Sequence, residues 1–187
     1  MLELTLSFFV VAAPAVVFAG VSKGGFGSGA AFVSASILAL AVDPGIALAV
    51  MLPILMLMDV AALWSYWGKW NLRASIILIL GALPGIIIGA TLYARTDADV
   101  FRVIIGIISV AFVMWQVSVE RGWVRVAAQS LPKWAGALAG LVAGFTSFVS
   151  HAGGPPAALY LLSLKPNKTE YQASTVLVFW IINIAKF

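Results

Sequence analysis

Two apolar stretches of this chain are interrupted by glycine-rich polar motifs, and those interruptions restrict the fold more than any other feature. The first reads Gly20-Val21-Ser22-Lys23-Gly24-Gly25-Phe26-Gly27-Ser28-Gly29. The second reads Gly144-Phe145-Thr146-Ser147-Phe148-Val149-Ser150-His151-Ala152-Gly153-Gly154-Pro155-Pro156. Backbone in hydrocarbon has no water to bond to, so a helix that breaks at membrane depth must be buried in protein or line a wet cavity. Composition says that these are membrane runs. The chain is 63% hydrophobic and 10% charged, with mean hydropathy +1.07, against about 45–50% apolar and about 25% charged in soluble domains. The expectation is an all-α integral membrane protein, a polytopic helical bundle with no soluble domain.

The apolar segments run roughly over 3–21, 30–42, 46–67, 74–94, 100–119, 135–149, 154–164 and 170–187. A crossing takes about 20 residues. The segments 30–42 and 154–164 fall short, and each follows a break. Each pair, 3–21 with 30–42 and 135–149 with 154–164, reads as a broken helical hairpin that returns to its starting side. Lys69, Arg73, Arg121, Arg125, Lys133, Lys165 and Lys168 then gather on one side. Arg95 and Arg102, offset by Asp97 and Asp99, lie on the other. The positive-inside rule makes the first side cytoplasmic and puts the N-terminus outside. Trp64, Tyr66, Trp67 and Trp70 anchor the cytoplasmic interface. The net charge of +4 follows these loops, so topology explains it and a nucleic-acid partner is not implied. No basic region precedes the first segment, which is expected to stay in the mature protein. The absence of cysteine excludes disulfides and thiolate metal sites.

An offset of 124 residues aligns the two halves without gaps. Gly20 falls on Gly144, Ser22 on Thr146, Gly29 on Gly153 and Asp59 on Asn183. In each half a break, a short helix, a polar turn and a helix with a mid-span polar residue follow in order. Five segments in the first half, an odd number, start the second from the opposite side, which predicts inverted repeats. The expected divisions are a first repeat over 1–119, a cytoplasmic connection over 120–134 and a second repeat over 135–187. The second repeat lacks counterparts of the segments 74–94 and 100–119, so the sequence reads as part of a longer protein.

A helix that starts inside the membrane offers free N–H groups and a positive dipole end. Starts near Ala30 and Gly154 would present both to an anion between them. Lys23 stands in the first break, where a cation costs at least about 2.5–3.5 kcal/mol on insertion scales. It is either a counter-charge for an anion or a side chain that snorkels to the interface. Asp59 is the one acidic residue deep in an apolar run. It pairs with Lys23, carries a coupling proton, binds a cation, or makes a structural hydrogen bond to a break. His151, the only histidine, titrates near neutrality or caps exposed backbone. Ser22, Thr146 and Ser147 offer hydroxyls, which equally bond to helix backbone. Asn183 and Lys186 lie on adjoining turns of the last helix, with Lys186 read as an interface residue. No second histidine or carboxylate supports a metal site, and no nucleophile supports catalysis.

These motifs resemble the sulfite exporter TauE/SafE family of membrane permeases. Ser22-Lys23-Gly24-Gly25-Phe26-Gly27 is similar to the family's first-half motif, and Gly144 to Pro156 is similar to its second. Leu52-Pro53 with Asp59, and Lys168-Thr169 followed by Asn183 and Lys186, fit the same pattern. The resemblance implies a bacterial inner-membrane permease, with no cofactor, for small sulfur-containing anions such as sulfite or organosulfonates. Export coupled to a proton or sodium ion is the expected mode. Members continue past the position of Phe187. Expected to bind substrate are Ser22, Lys23, Gly24, Gly25, Phe26 and Gly27 in the first half. Thr146, Ser147, His151, Gly153, Gly154 and Pro155 do so in the second. Asp59, Asn183 and Lys186 serve coupling or structure. A passive anion channel, an intramembrane enzyme built on Asp59 and His151, and a structural subunit are the competing readings.

Overall fold

A computed structural model describes residues 6–25, 31–123 and 130–187, without the side chains of residues 6–9, 11, 22–25, 31 and 32. Among the described residues there are eight helices and no strand. They are α1 (Leu6–Gly25), α2 (Ala31–Ala41), α3 (Pro44–Tyr66), α4 (Leu72–Arg95), α5 (Ala98–Glu120), α6 (Lys133–Ser150), α7 (Gly154–Ser163) and α8 (Lys168–Lys186). Three of them, α3, α4 and α5, are long and apolar enough to cross a membrane. By contrast α2, with 11 residues, and α7, with 10, reach about half of a 30 Å hydrocarbon core at 1.5 Å per residue.

Both breaks are shorter than the sequence suggests. Helix α1 continues through Gly20 to Gly25, and α6 continues through Gly144 and Thr146 to Ser150. Glycine lowers helix propensity, but a membrane interior holds every N–H to its i−4 carbonyl. Gly144 belongs to packing rather than to the break: a side chain there would strike the Ala82 carbonyl of α4.

That contact is part of a larger joint. Gly81, Gly85 and Gly89 on α4, spaced by four residues, pack against the face of α6 that carries Gly140 and Gly144, while Gly136 in the same spacing makes room for the Tyr160 ring of α7. A Cβ on Gly81 would meet Ala137 O, on Gly85 Leu141 O, on Gly140 Leu78 O, and on Gly89 the Phe148 ring at 2.9 Å. Small residues let the backbones touch where no hydrophobic drive exists between helices in lipid. The facing numbers rise together along both helices, so α4 and α6 run parallel and begin at the same end of the molecule. Around this joint α4, α6, α7 and α8 form one core, with Leu78, Ala82, Tyr160, Phe179 and Ile182 buried. A second core joins α1, α2, α3 and α5 through Ala19, Leu38, Met51, Phe101 and Ile105, and takes in Val149 of α6. Large apolar side chains such as Leu40, Leu57, Leu80 and Ile107 point outward, as lipid-facing surfaces do.

Polar groups tie one end of the first core together. Asn71 accepts from Ala74 N–H, donates its side-chain amide to Glu170, and its N–H reaches Ser174 Oγ. Leu131 N–H reaches Ser163 Oγ. The starts of α4, α6 and α8 and the end of α7 therefore share one end, which carries Lys69, Arg73, Lys133, Lys165 and Lys168. Trp67 and Trp70 meet edge to face there, with ring centroids 5.4 Å apart.

Candidate functional site

The second break is three buried residues, His151 to Gly153. His151 takes the left-handed conformation, φ 55°, a region that L-residues visit rarely and histidine more than most. Its N–H donates to Ser147 O at 3.0 Å and that of Ala152 to Thr146 O at 3.2 Å, closing the end of α6. Helix α7 then begins with Gly153 as N-cap, without a side-chain cap. Of the four N–H positions that a helix start leaves open, Pro155 and Pro156 occupy two. The start of α7 thus offers the amides of Gly153 and Gly154 and not a full set. Gly153 also has a packing reason: a Cβ would lie 2.7 Å from Ala143 O and from the Phe179 ring.

The cation at this break comes from α8. Lys186 Nζ donates to Ser147 O at 3.0 Å and to Ser147 Oγ at 3.0 Å, and lies 3.1 Å from His151 Nδ1. An ammonium only donates, so Nδ1 is the acceptor in this contact. Lys186 also stands against the negative end of the α6 dipole, where a cation is favoured. It turns inward to a broken helix instead of outward to an interface. The hydroxyl of Thr146 bonds back to Val142 O at 2.8 Å, and that of Ser150 to Thr146 O.

Cavities flank the break. One of about 300 Å³ is lined by His151, Lys186, Tyr93, Phe148, Leu52 and Pro53 among others. Another of about 280 Å³ lies against Thr146, Ala152, Pro155, Phe112 and Trp115. His151 lines the first and its neighbour Ala152 the second, so the break borders both. Tyr93, Phe112 and Trp115 had no sequence signal that set them apart from other aromatic residues on lipid-facing helices.

Asp59 lies outside both linings. It is fully buried in α3, and its Oδ2 accepts from Asn183 Nδ2 of α8 at 2.8 Å. Asn183 and Lys186 thus leave one face of α8 in two directions, toward α3 and toward the end of α6. Of the first break, Phe26 and Gly27 lie outside the described residues, and Ser22, Lys23, Gly24 and Gly25 are placed only as backbone of the last turn of α1.

The profile described as TauE, sulfite exporter TauE/SafE, matches residues 12–187. A search of curated proteins and a search of solved structures each found no match.

Proposed function

This chain belongs to the sulfite exporter TauE/SafE family, a family of membrane transporters and not of enzymes, and from that premise we propose that it is a permease whose solute passes the second break. The observation that carries the reading is the place of the break: adjacent residues His151 and Ala152 line different cavities. Lys186 stands beside it as the positive charge, and the amides of Gly153 and Gly154 supply donors. The Ser147 hydroxyl, whose oxygen accepts from Lys186, has its proton to give, and the Thr146 hydroxyl would do so by leaving Val142 O. That set suits a small sulfur oxyanion, sulfite or an organosulfonate, carried outward.

The first break is the counterpart in this reading. Ser22, Lys23, Gly24, Gly25, Phe26 and Gly27 are proposed to bind the solute together with the second break, with Lys23 as a second positive charge. The repeats span 1–119 and 135–187, inverted, with 120–134 as the connection between them. The membrane is the bacterial inner membrane, the lysine-rich end is cytoplasmic, and the N-terminus is outside. Asp59 is the group through which a proton or sodium ion couples to flux.

The experiment is sulfite flux into proteoliposomes, with sulfoacetate, thiosulfate, taurine and acetate as competitors. Saturable flux that oxyanions inhibit and that a proton or sodium gradient drives is the expected result. Saturable or unsaturable flux that follows only the sulfite gradient would make the protein a passive channel. No flux of any of these anions would overturn the reading.

A further inference from the structure

Separate observations converge on α3 and α8. At the offset of 124 residues Asp43 falls on Asn167 and Asp59 on Asn183. The two helices begin at that same offset, at Pro44 and Lys168. Both N-caps accept a backbone N–H through the side chain, Asp43 from Gly45 at 2.8 Å and Asn167 from Glu170 at 2.8 Å. The broken hairpins pack alike, α1 on α2 and α6 on α7. Then Asp59 and Asn183, 124 residues apart, bond directly in a buried contact.

A position that touches its own counterpart is a restrictive finding. In a two-fold arrangement every contact between i and j returns as one between j and i, and a position meets its equivalent only on the axis. Halves related by translation carry no such requirement. The acid and the amide have the same shape, so the pair is symmetric in form and asymmetric in charge.

We propose that a two-fold axis relating the halves passes between Asp59 and Asn183, and that Asn183 is a positioning residue that holds the Asp59 carboxylate on this axis for transport. The pair sits where two inverted halves move least relative to each other as they exchange conformations. The amide supplies a donor to the buried carboxylate. The geometric half of the proposal is independent of any solute. The transport half rests on the permease reading.

The test is an exchange across the axis. Asp59→Asn alone leaves two amides. Asn183→Asp alone sets two carboxylates face to face, and such a pair shares one proton. The double variant Asp59→Asn with Asn183→Asp rebuilds the pair in the opposite sense. In detergent at pH 8, Asn183→Asp is expected to lower the thermal midpoint by roughly 5 °C. It should recover most of that loss at pH 5, where one of the two facing carboxylates takes up a proton. The double variant should return to within about 2 °C of the native midpoint at both pH values. For sulfite flux, Asp59→Asn should lose on the order of tenfold, and the double variant should recover to within about threefold. A double variant no more stable than the worse single variant, or an Asn183→Asp midpoint that follows pH as the native protein does, overturns the axis. Recovered stability without recovered flux overturns the transport role alone. If the native protein moves no sulfite, the permease reading fails, while the midpoints still decide the axis.

Discussion

His151 shows how one residue carries two demands. Its backbone ends α6 in a conformation that glycine adopts without strain, and its ring meets Lys186. His151→Gly should therefore preserve or raise stability through the backbone while losing the ring contact. Thermal midpoint near native with reduced anion binding is the expected pattern, and calorimetry beside equilibrium binding of sulfite checks it. Lys186→Met removes a donor from the Ser147 carbonyl and leaves the end of α6 less well capped, a loss of about 1–3 kcal/mol in stability. Lys186→Arg keeps the charge and should retain part of the binding, as titration with sulfite would show. The lysine was visible in the sequence, but its direction was not. A residue at the end of an apolar helix reads as interfacial until a partner on another helix, here Ser147, gives it a reason to turn inward. The prolines after Gly154 were legible as a count of missing N–H groups. The contact between Asp59 and Asn183 was legible only as an offset.

Helix boundaries followed the hydropathy pattern closely, because polar turns such as Asp43-Pro44 and Asn167-Lys168 stop and start helices locally. The breaks were overread. Glycine at 20 and 144 looked like interruption, yet both positions are helical, since tertiary packing and the hydrocarbon override propensity. The four-residue spacing of Gly81, Gly85 and Gly89, and of Gly136, Gly140 and Gly144, was a signal for close helix packing that a search for breaks passes over. Gly85→Ala and Gly144→Ala both drive a methyl into a facing carbonyl. Each should cost about 1–3 kcal/mol, the range for overpacking. Gly106→Ala on α5, with open space at its Cβ, should be neutral or gain up to about 1 kcal/mol. Denaturation in mixed micelles would rank the variants, and equal losses at 85, 144 and 106 would contradict the close approach.

At the scale of the molecule, the packing does not follow the sequence halves. Helix α4 precedes α5 in the chain but joins the core of α6, α7 and α8. Hydropathy names helices and counts crossings, and it holds no record of which small-residue faces meet. The shared end of α4, α6 and α8 gathers the lysines, and by the positive-inside rule that end is predicted to be cytoplasmic. Because the chain has no cysteine, Lys69→Cys and Asp97→Cys each provide a single label. An impermeant thiol reagent added to intact cells should modify position 97 and leave 69 untouched until the membrane is opened. The reverse pattern would invert the orientation. The parallel contact of α4 with α6 also has a consequence for synthesis. Parallel neighbours cannot form as a hairpin, so the glycine face of α4 enters the bilayer before its mate exists. About 55 residues separate Gly85 from Gly140, which at roughly 5–20 residues per second is a delay of about 3–11 s. During that interval lipid tails occupy the notch, and the arrival of α6 expels them.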